Sequence, residues 1–178
     1  MASIEVIYQL RNATPYIIAS ATETPADGMP YDYNLPLLFA DTAKLKEACI
    51  STFDYYNCQN GSLKSCTISL IDTRNIEDLA QATAAIYSTH PTTPEFFTPQ
   101  KFTLDTNCYH FDFKQYIEAL SQDMPSLLNE WEKALEKVVL YKNQTPYMWN
   151  MLKIDHHCGL STFILENSEY SNIKNYSQ

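Results

Sequence analysis

Three prolines, one glycine and two aspartates fall within residues 22–36, and this run of breakers constrains the fold more than any other feature of the chain. Proline lacks an amide hydrogen and fixes φ, while Gly and Asp favour turns, so neither a helix nor a strand is expected to cross the segment. Just before it, Pro15-Tyr16-Ile17-Ile18-Ala19-Ser20-Ala21 forms a short apolar run of strand length, expected to be a strand covered on both faces. Ahead of that run, Ile4, Ile7, Tyr8 and Leu10 share one helical stripe within residues 3–12, and Pro15 stops that helix. A helix leading into such a strand predicts an α/β layered fold. In open sheets of that class, ligands sit in loops beyond the carboxyl ends of strands, which gives residues 22–36 a functional expectation.

Downstream, Leu37, Leu38, Leu45, Cys49, Thr52, Phe53 and Tyr56 recur at the spacing of a helix or broken helix that ends near Gly61. Residues 66–71 alternate as a strand does, and Ile76, Leu79, Ala80, Ile86 and Tyr87 form the apolar stripe of the next helix. Residues 90–101, with three prolines and three threonines, read as a connecting loop. Asp112 is placed to cap a helix burying Phe113, Tyr116, Ile117 and Leu120. Pro125 suits the first turn of the clearest helix, residues 125–141, whose apolar face is Leu127, Leu128, Trp131, Leu135, Val138 and Val139. Glu130 and Lys133 are expected to pair on its wet face. Residues 159–165 predict a final strand, and the polar, Asn-rich remainder reads as frayed or incomplete.

The 178 residues suffice for one domain with a real core, or for a slice of something larger. Twelve basic against twenty-one acidic residues give a net charge of −9, which opposes phosphate backbones and anionic lipid, so no nucleic-acid partner is expected. Five scattered cysteines do not make a disulfide scaffold. No stretch has the roughly 18 consecutive apolar residues of a membrane span, and Met1-Ala2-Ser3-Ile4-Glu5 lacks the start of a signal peptide. Either the chain is intracellular or its true beginning is missing.

Three constellations bear on chemistry. Cys108 with His110, and His156 with Cys158, could each present a pair of metal ligands from a strand face, but the spacing matches no established zinc pattern and no metal site or cofactor is assigned. His157 and Cys158 could form a nucleophilic dyad only if a strand did not send them to opposite faces. Asp27, between Ala26 and Gly28 beyond a strand, could meet a cationic side chain in a partly desolvated pocket, or could cap its own turn. Glu23, Thr24 and Asp32 share that ambiguity.

These residues resemble a known family. Met1-Ala2-Ser3-Ile4-Glu5-Val6-Ile7-Tyr8-Gln9-Leu10-Arg11 is similar to the helix that follows an Asp-Ala-Cys segment bearing the nucleophile of clostripain-like cysteine peptidases. Tyr16-Ile17-Ile18-Ala19-Ser20 with Glu23, then Asp27-Gly28-Met29-Pro30-Tyr31, resembles the next strand and the loop beside the active site. Residues 71–72, residues 138–142 with Thr145-Pro146, and Cys158-Gly159-Leu160-Ser161-Thr162-Phe163-Ile164 resemble later segments.

The resemblance implies part of a caspase-like three-layer αβα fold with a mostly parallel sheet. It implies a single domain or fragment over residues 1–178, with the sheet and helices near the active site in about 1–90 and further helices and a final strand in about 91–178. The family cuts after Arg or Lys with a Cys nucleophile and a His base. By position Asp27 resembles its pocket acid and Thr24 the neighbouring wall, while the catalytic pair precedes Met1, so the chain alone is expected to be inactive. The implied partners are a peptide or protein substrate with a basic residue, the missing N-terminal part of the domain, and another copy of the chain that could meet an uncovered strand edge. Family members are bacterial and commonly exported. The alternative is a non-catalytic binding or scaffold module that kept the fold.

Overall fold

A computed structural model describes residues 2–89, 98–104 and 109–164. Helix α1 (Ile4–Leu10) runs into strand β1 (Tyr16–Ala19), as the stripe and the apolar run predict. The breaker segment is only partly a loop. Helix α2 (Tyr31–Leu38) starts directly after Pro30 and carries Pro36 inside it, so Pro30 acts as a helix start and the helix is short. Helix α3 (Thr42–Asn57) follows, with the Asp41 side chain accepting from the Lys44 amide at 3.1 Å, which makes this stretch the broken helix expected.

Strand β2 (Thr67–Asp72) leads into helix α4 (Ile76–Thr89). Strand β3 (His110–Asp112) precedes helix α5 (Phe113–Leu120), capped by Asp112 as predicted. Helix α6 (Pro125–Val138) is shorter than the sequence suggests, because Val139 switches to extended backbone and opens β4 (Val139–Gln144). The β-branched pair Val138-Val139 sits where helix gives way to strand, and β-branched residues favour strands. The ion pairs described around α6 join Lys114 to Glu132 at 2.6 Å and Lys137 to Asp78 at 3.8 Å, in place of the expected Glu130 and Lys133 pair. A short hairpin, β5 (Tyr147–Met148) and β6 (Leu152–Lys153), and β7 (Ser161–Phe163) complete the described strands.

Among the described residues the main sheet has the order β1-β2-β4 and every ladder is antiparallel, so the expected parallel character is not seen among them. The connection explains it. One crossover helix would reverse the chain once and return a parallel strand, but α2 and α3, joined by a short link, reverse it twice. Parallel pairing is confined to an isolated bridge between Ser3 and Ser161.

The fully covered strand is β2, not β1. Ile68 and Leu70 pack with Cys49 and Tyr56 of α3, whereas Ile71 joins the larger core built on Trp131, Phe113 and Leu79. In that core the rings of Phe113 and Trp131 meet edge to face at 5.2 Å, and the Trp131 indole donates to Thr83 Oγ1 at 2.9 Å. Strand β1, at the sheet edge, is only half-buried along its length, against the expected cover on both faces. Gly159 is required by close approach: it has φ of 102°, and a Cβ there would lie 2.6 Å from Val139 Cγ1.

Candidate functional site

The loop after β1 is fastened at both ends to one scaffold. At its start the Thr22 amide donates to Thr67 Oγ1 at 3.1 Å, and the Ser20 and Thr67 hydroxyls meet at 2.8 Å. At its end the Tyr56 hydroxyl of α3 donates to the Gly28 carbonyl. Gly28 has φ of 68°, and its position stacks close to the Tyr31 ring at the head of α2. Helix α2 is itself pinned to α3 by Asn34 Nδ2, which donates to Thr52 Oγ1 at 2.7 Å.

Between those straps lies a hollow of about 90 Å³, lined by Ile18, Thr24, Met29, Thr52, Tyr56 and Cys66 among others. A dry cavity of about 150 Å³ admits benzene, so this one suits a slender aliphatic chain better than an aromatic ring. Ser20, Glu23 and Thr67 also line it, and its surface is otherwise apolar. Thr24 is thus one of the residues that line it. Asp27 is exposed in the same loop and does not itself line the hollow, but its charge reaches the Tyr56 phenol. Burial first, then the negative charge of Asp27, pushes the Tyr56 hydroxyl up to about 12, so it stays a donor to Gly28. Asp32 stands exposed in the first turn of α2.

The other constellations come apart. Cys108 lies outside the described residues, and among those described no group of three His, Cys, Asp or Glu side chains could hold a metal ion. His157 is buried with its ring edge to face on Phe102, at 5.8 Å, and its Nε2 faces Ser69 Oγ at 3.4 Å. Burial, with Lys142 nearby, lowers it to about 3, so the imidazole is neutral. Cys158 is buried, and its thiol donates to the Leu160 carbonyl at 3.1 Å. Burial raises the Cys158 thiol and pushes Cys49 and Cys66 up to about 12, which keeps all three protonated and unreactive.

Two wider hollows differ in character. One of about 560 Å³ lies between α1 and α4, against Ile4, Tyr8, Leu79 and Tyr87, and is largely apolar. Another of about 420 Å³ runs past Lys114, Glu132 and Lys142 with charges of both signs. Glu5 lines the first of them, and Glu132 and Glu136 line the second. Tyr56 and Cys66 escaped the sequence reading because each fits a plain periodic pattern, a helix stripe and a strand start.

A family model for the clostripain family matches residues 1–178. No curated protein matches the chain. Among solved structures, a B. fragilis cysteine protease superposes with a TM-score of 0.85 at 24% identity, covering 100% of this chain and 80% of that one. A clostripain from Bacteroides thetaiotaomicron ATCC 29148, in complex with the peptide inhibitor BTN-VLTK-AOMK, gives 0.83 at 26% identity, covering 97% and 78%. A secreted C11 cysteine protease from Bacteroides thetaiotaomicron gives 0.81 at 27% identity, and there 92% of this chain spans 47% of the other.

Proposed function

This chain belongs to the clostripain family, and on that premise we propose that it is the substrate-recognition portion of a cysteine endopeptidase that cuts after Arg or Lys. The hollow beside the loop of residues 22–30 takes the basic side chain. Its slender, apolar bore suits an aliphatic stem, Thr24 forms a wall, and Asp27 supplies a carboxylate for the cationic end. The peptide in the inhibited Bacteroides thetaiotaomicron relative reads VLTK and so carries a lysine, in keeping with this assignment.

One observation carries the reading. The Ala2 amide donates to the Ser20 carbonyl at 2.6 Å, and Ser20 lines the hollow. A nucleophilic cysteine just ahead of Met1, where the resemblance puts it, would stand beside that hollow. There a thiolate attacks the carbonyl that follows the basic residue, while a His outside this chain accepts and returns the proton. The protonated, buried thiols described above suit a chain that brings recognition, not the nucleophile.

In this proposal the chain is the C-terminal part of a bacterial caspase-like domain. Residues of about 1–90 supply the active-site side and about 91–178 add helices and a final strand, with further strands completing a three-layer, mostly parallel arrangement. The apolar groove between α1 and α4 and the edge of β1 are the surfaces that the rest of the domain would cover, since solved relatives have up to about as much chain again. Without that cover the chain self-associates.

Calorimetry with agmatine and Nα-acetyl-lysine amide against Nα-acetyl-norleucine amide tests the pocket. Saturable binding of the cationic ligands alone, lost in Asp27→Asn, is expected. Equal binding of norleucine, or indifference to the substitution, sinks the assignment. Cleavage of Arg and Lys peptides only after mixing with the family's His- and Cys-bearing segment is the matching activity result. Silence in a verified complex favours the binding module.

A further inference from the structure

A second, smaller hollow of about 50 Å³ shares a wall with the first. Glu23 lines both, and the second is closed by Phe102, Leu104, Met148, Trp149 and Leu152. We infer that this hollow is a second substrate subsite, which takes a small apolar side chain from a residue flanking the basic one. The inference rests on the assignment of the first hollow to that basic residue.

Three observations carry it. The first is the backbone of the β5–β6 turn, where Trp149 and Asn150 have φ of 55° and 57° and the Met151 amide donates to the Met148 carbonyl at 3.0 Å. Two central residues at positive φ make a turn suited to Asn or Gly, and a tryptophan there is held against its own preference. Such outliers persist where the surroundings over-determine them, and they cluster at ligand sites.

The second is what holds the turn. The Trp149 amide donates to Ser65 Oγ at 2.7 Å, and Ser65 is buried. The next two residues, Cys66 and Thr67, line the first hollow, and Thr67 anchors the loop that carries Glu23. Three consecutive residues thus hold the Trp149 backbone, line one hollow and anchor the loop whose Glu23 lines both. The two hollows are held in one register, as subsites for an extended peptide must be, since side chains two residues apart along a strand share one face, about 7 Å apart.

The third is size and character. A volume of about 50 Å³ exceeds the roughly 15 Å³ that admits a water and falls well below the roughly 150 Å³ that admits benzene, which selects a side chain such as Val or Ala over an aromatic one. Phe102 and Met148 are buried in its lining and offer a methyl group apolar contact, beside the polar Thr22, Glu23 and Thr103.

The indole also reports on the site. Of the two tryptophans, Trp131 is sealed in the core and only Trp149 is partly open. Peptides of the form acetyl-X-Lys-amide and acetyl-X-Gly-Lys-amide, with their C-terminally extended counterparts, are titrated into the full chain with X as Gly, Val or Phe. Calorimetry and tryptophan emission are followed together. At one flanking position Val binds about tenfold tighter than Gly or Phe and shifts the emission. Trp149→Gly, which suits the positive φ and so keeps the turn, removes that advantage and leaves the glycine peptide's affinity unchanged. Lysine peptides that bind equally whatever X is, or a valine advantage that survives Trp149→Gly, overturn the subsite alone. Failure of every lysine peptide to bind overturns the first assignment as well, and this one with it.

Discussion

Residues 155–161 and residues 22–30 are built in opposite ways. The first stretch holds two histidines and a cysteine, residue types associated with catalysis, and folding buries His157 and Cys158. The Cys158 amide donates to Asp112 Oδ2 at 2.6 Å, the thiol turns to a carbonyl, and the imidazole lies between Phe102 and Ser69. The second stretch holds ordinary residues, yet it is strapped at both ends around an open slot that Glu23 lines. The contrast teaches that reactivity on paper is governed by solvation. A buried thiol or imidazole is pushed to its neutral form, while the ordinary residues Glu23 and Thr24 are left facing an open hollow.

The sharpest way to break this comparison is to damage the sealed region and watch the open one. Asp112 is buried and accepts amide bonds from both Gln115 and Cys158. Asp112→Ala strands two buried donors and is expected to cost about 4 kcal/mol in urea denaturation. Agmatine affinity of the folded fraction should stay within about twofold. A cost below about 1 kcal/mol, or a collapse of binding in molecules still folded, would show that the two regions are not separate.

Acid is the next largest perturbation. The folded-state pKa of His157 is depressed from 6.5 to about 3, so between those values the unfolded chain binds a proton that the folded chain refuses. Stability is therefore full above about pH 6.5 and falls as pH drops toward about 3, by about 3 kcal/mol between pH 7 and pH 4.5. Asp72, whose carboxyl Arg74 holds below the ordinary range, adds a loss in the same direction at lower pH. The difference between wild type and His157→Gln in denaturant melts across that range isolates the histidine. A variant with the same slope as wild type would mean that His157 is hydrated in the folded state.

Much of the fold was legible because local signals agreed with the tertiary outcome. Ile4, Ile7 and Tyr8 form a stripe and α1 forms; Asp112 precedes an apolar helix face and caps it. The misreadings arise where tertiary context overrides a local rule. Pro30 and Pro36 suggested a loop, but Pro30 suits a helix start and α2 gains its support from the Asn34 bond to α3. The direction of β2 depends on how many helices reverse the chain, which no period in the sequence records. In the candidate site, Thr24 and Asp27 were reached through the order of segments. Tyr56 and Cys66 could not be, since their meeting at the hollow is set by packing between α3 and β2 across distant sequence.

A smaller effect sharpens the comparison within the open region. Tyr56→Phe keeps the ring in its apolar setting and removes only the donor to Gly28. A net loss of about 1 kcal/mol in stability is expected. With the loop freed at one end, the cationic ligand should bind several-fold more weakly while norleucine amide is unaffected. Calorimetry beside a thermal melt separates the two consequences. A loss of stability with unchanged binding would leave Tyr56 as packing alone.

The smallest stability effect belongs to Asp27. Its carboxylate is exposed in the strapped loop, so Asp27→Asn should move the denaturation midpoint by less than about 0.5 kcal/mol. On binding the same substitution should act most strongly, because an amide cannot return the charge-assisted bond that a carboxylate gives an ammonium or guanidinium. Its second signature lies in Tyr56. With the neighbouring negative charge gone, the phenol should ionise at lower pH than the wild type, where burial and Asp27 together raise it to about 12. Ultraviolet titration of the tyrosines reads that shift without any ligand. A titration curve unchanged by Asp27→Asn would mean that the carboxylate points away from the hollow, and the cation-binding role would then fall to Glu23.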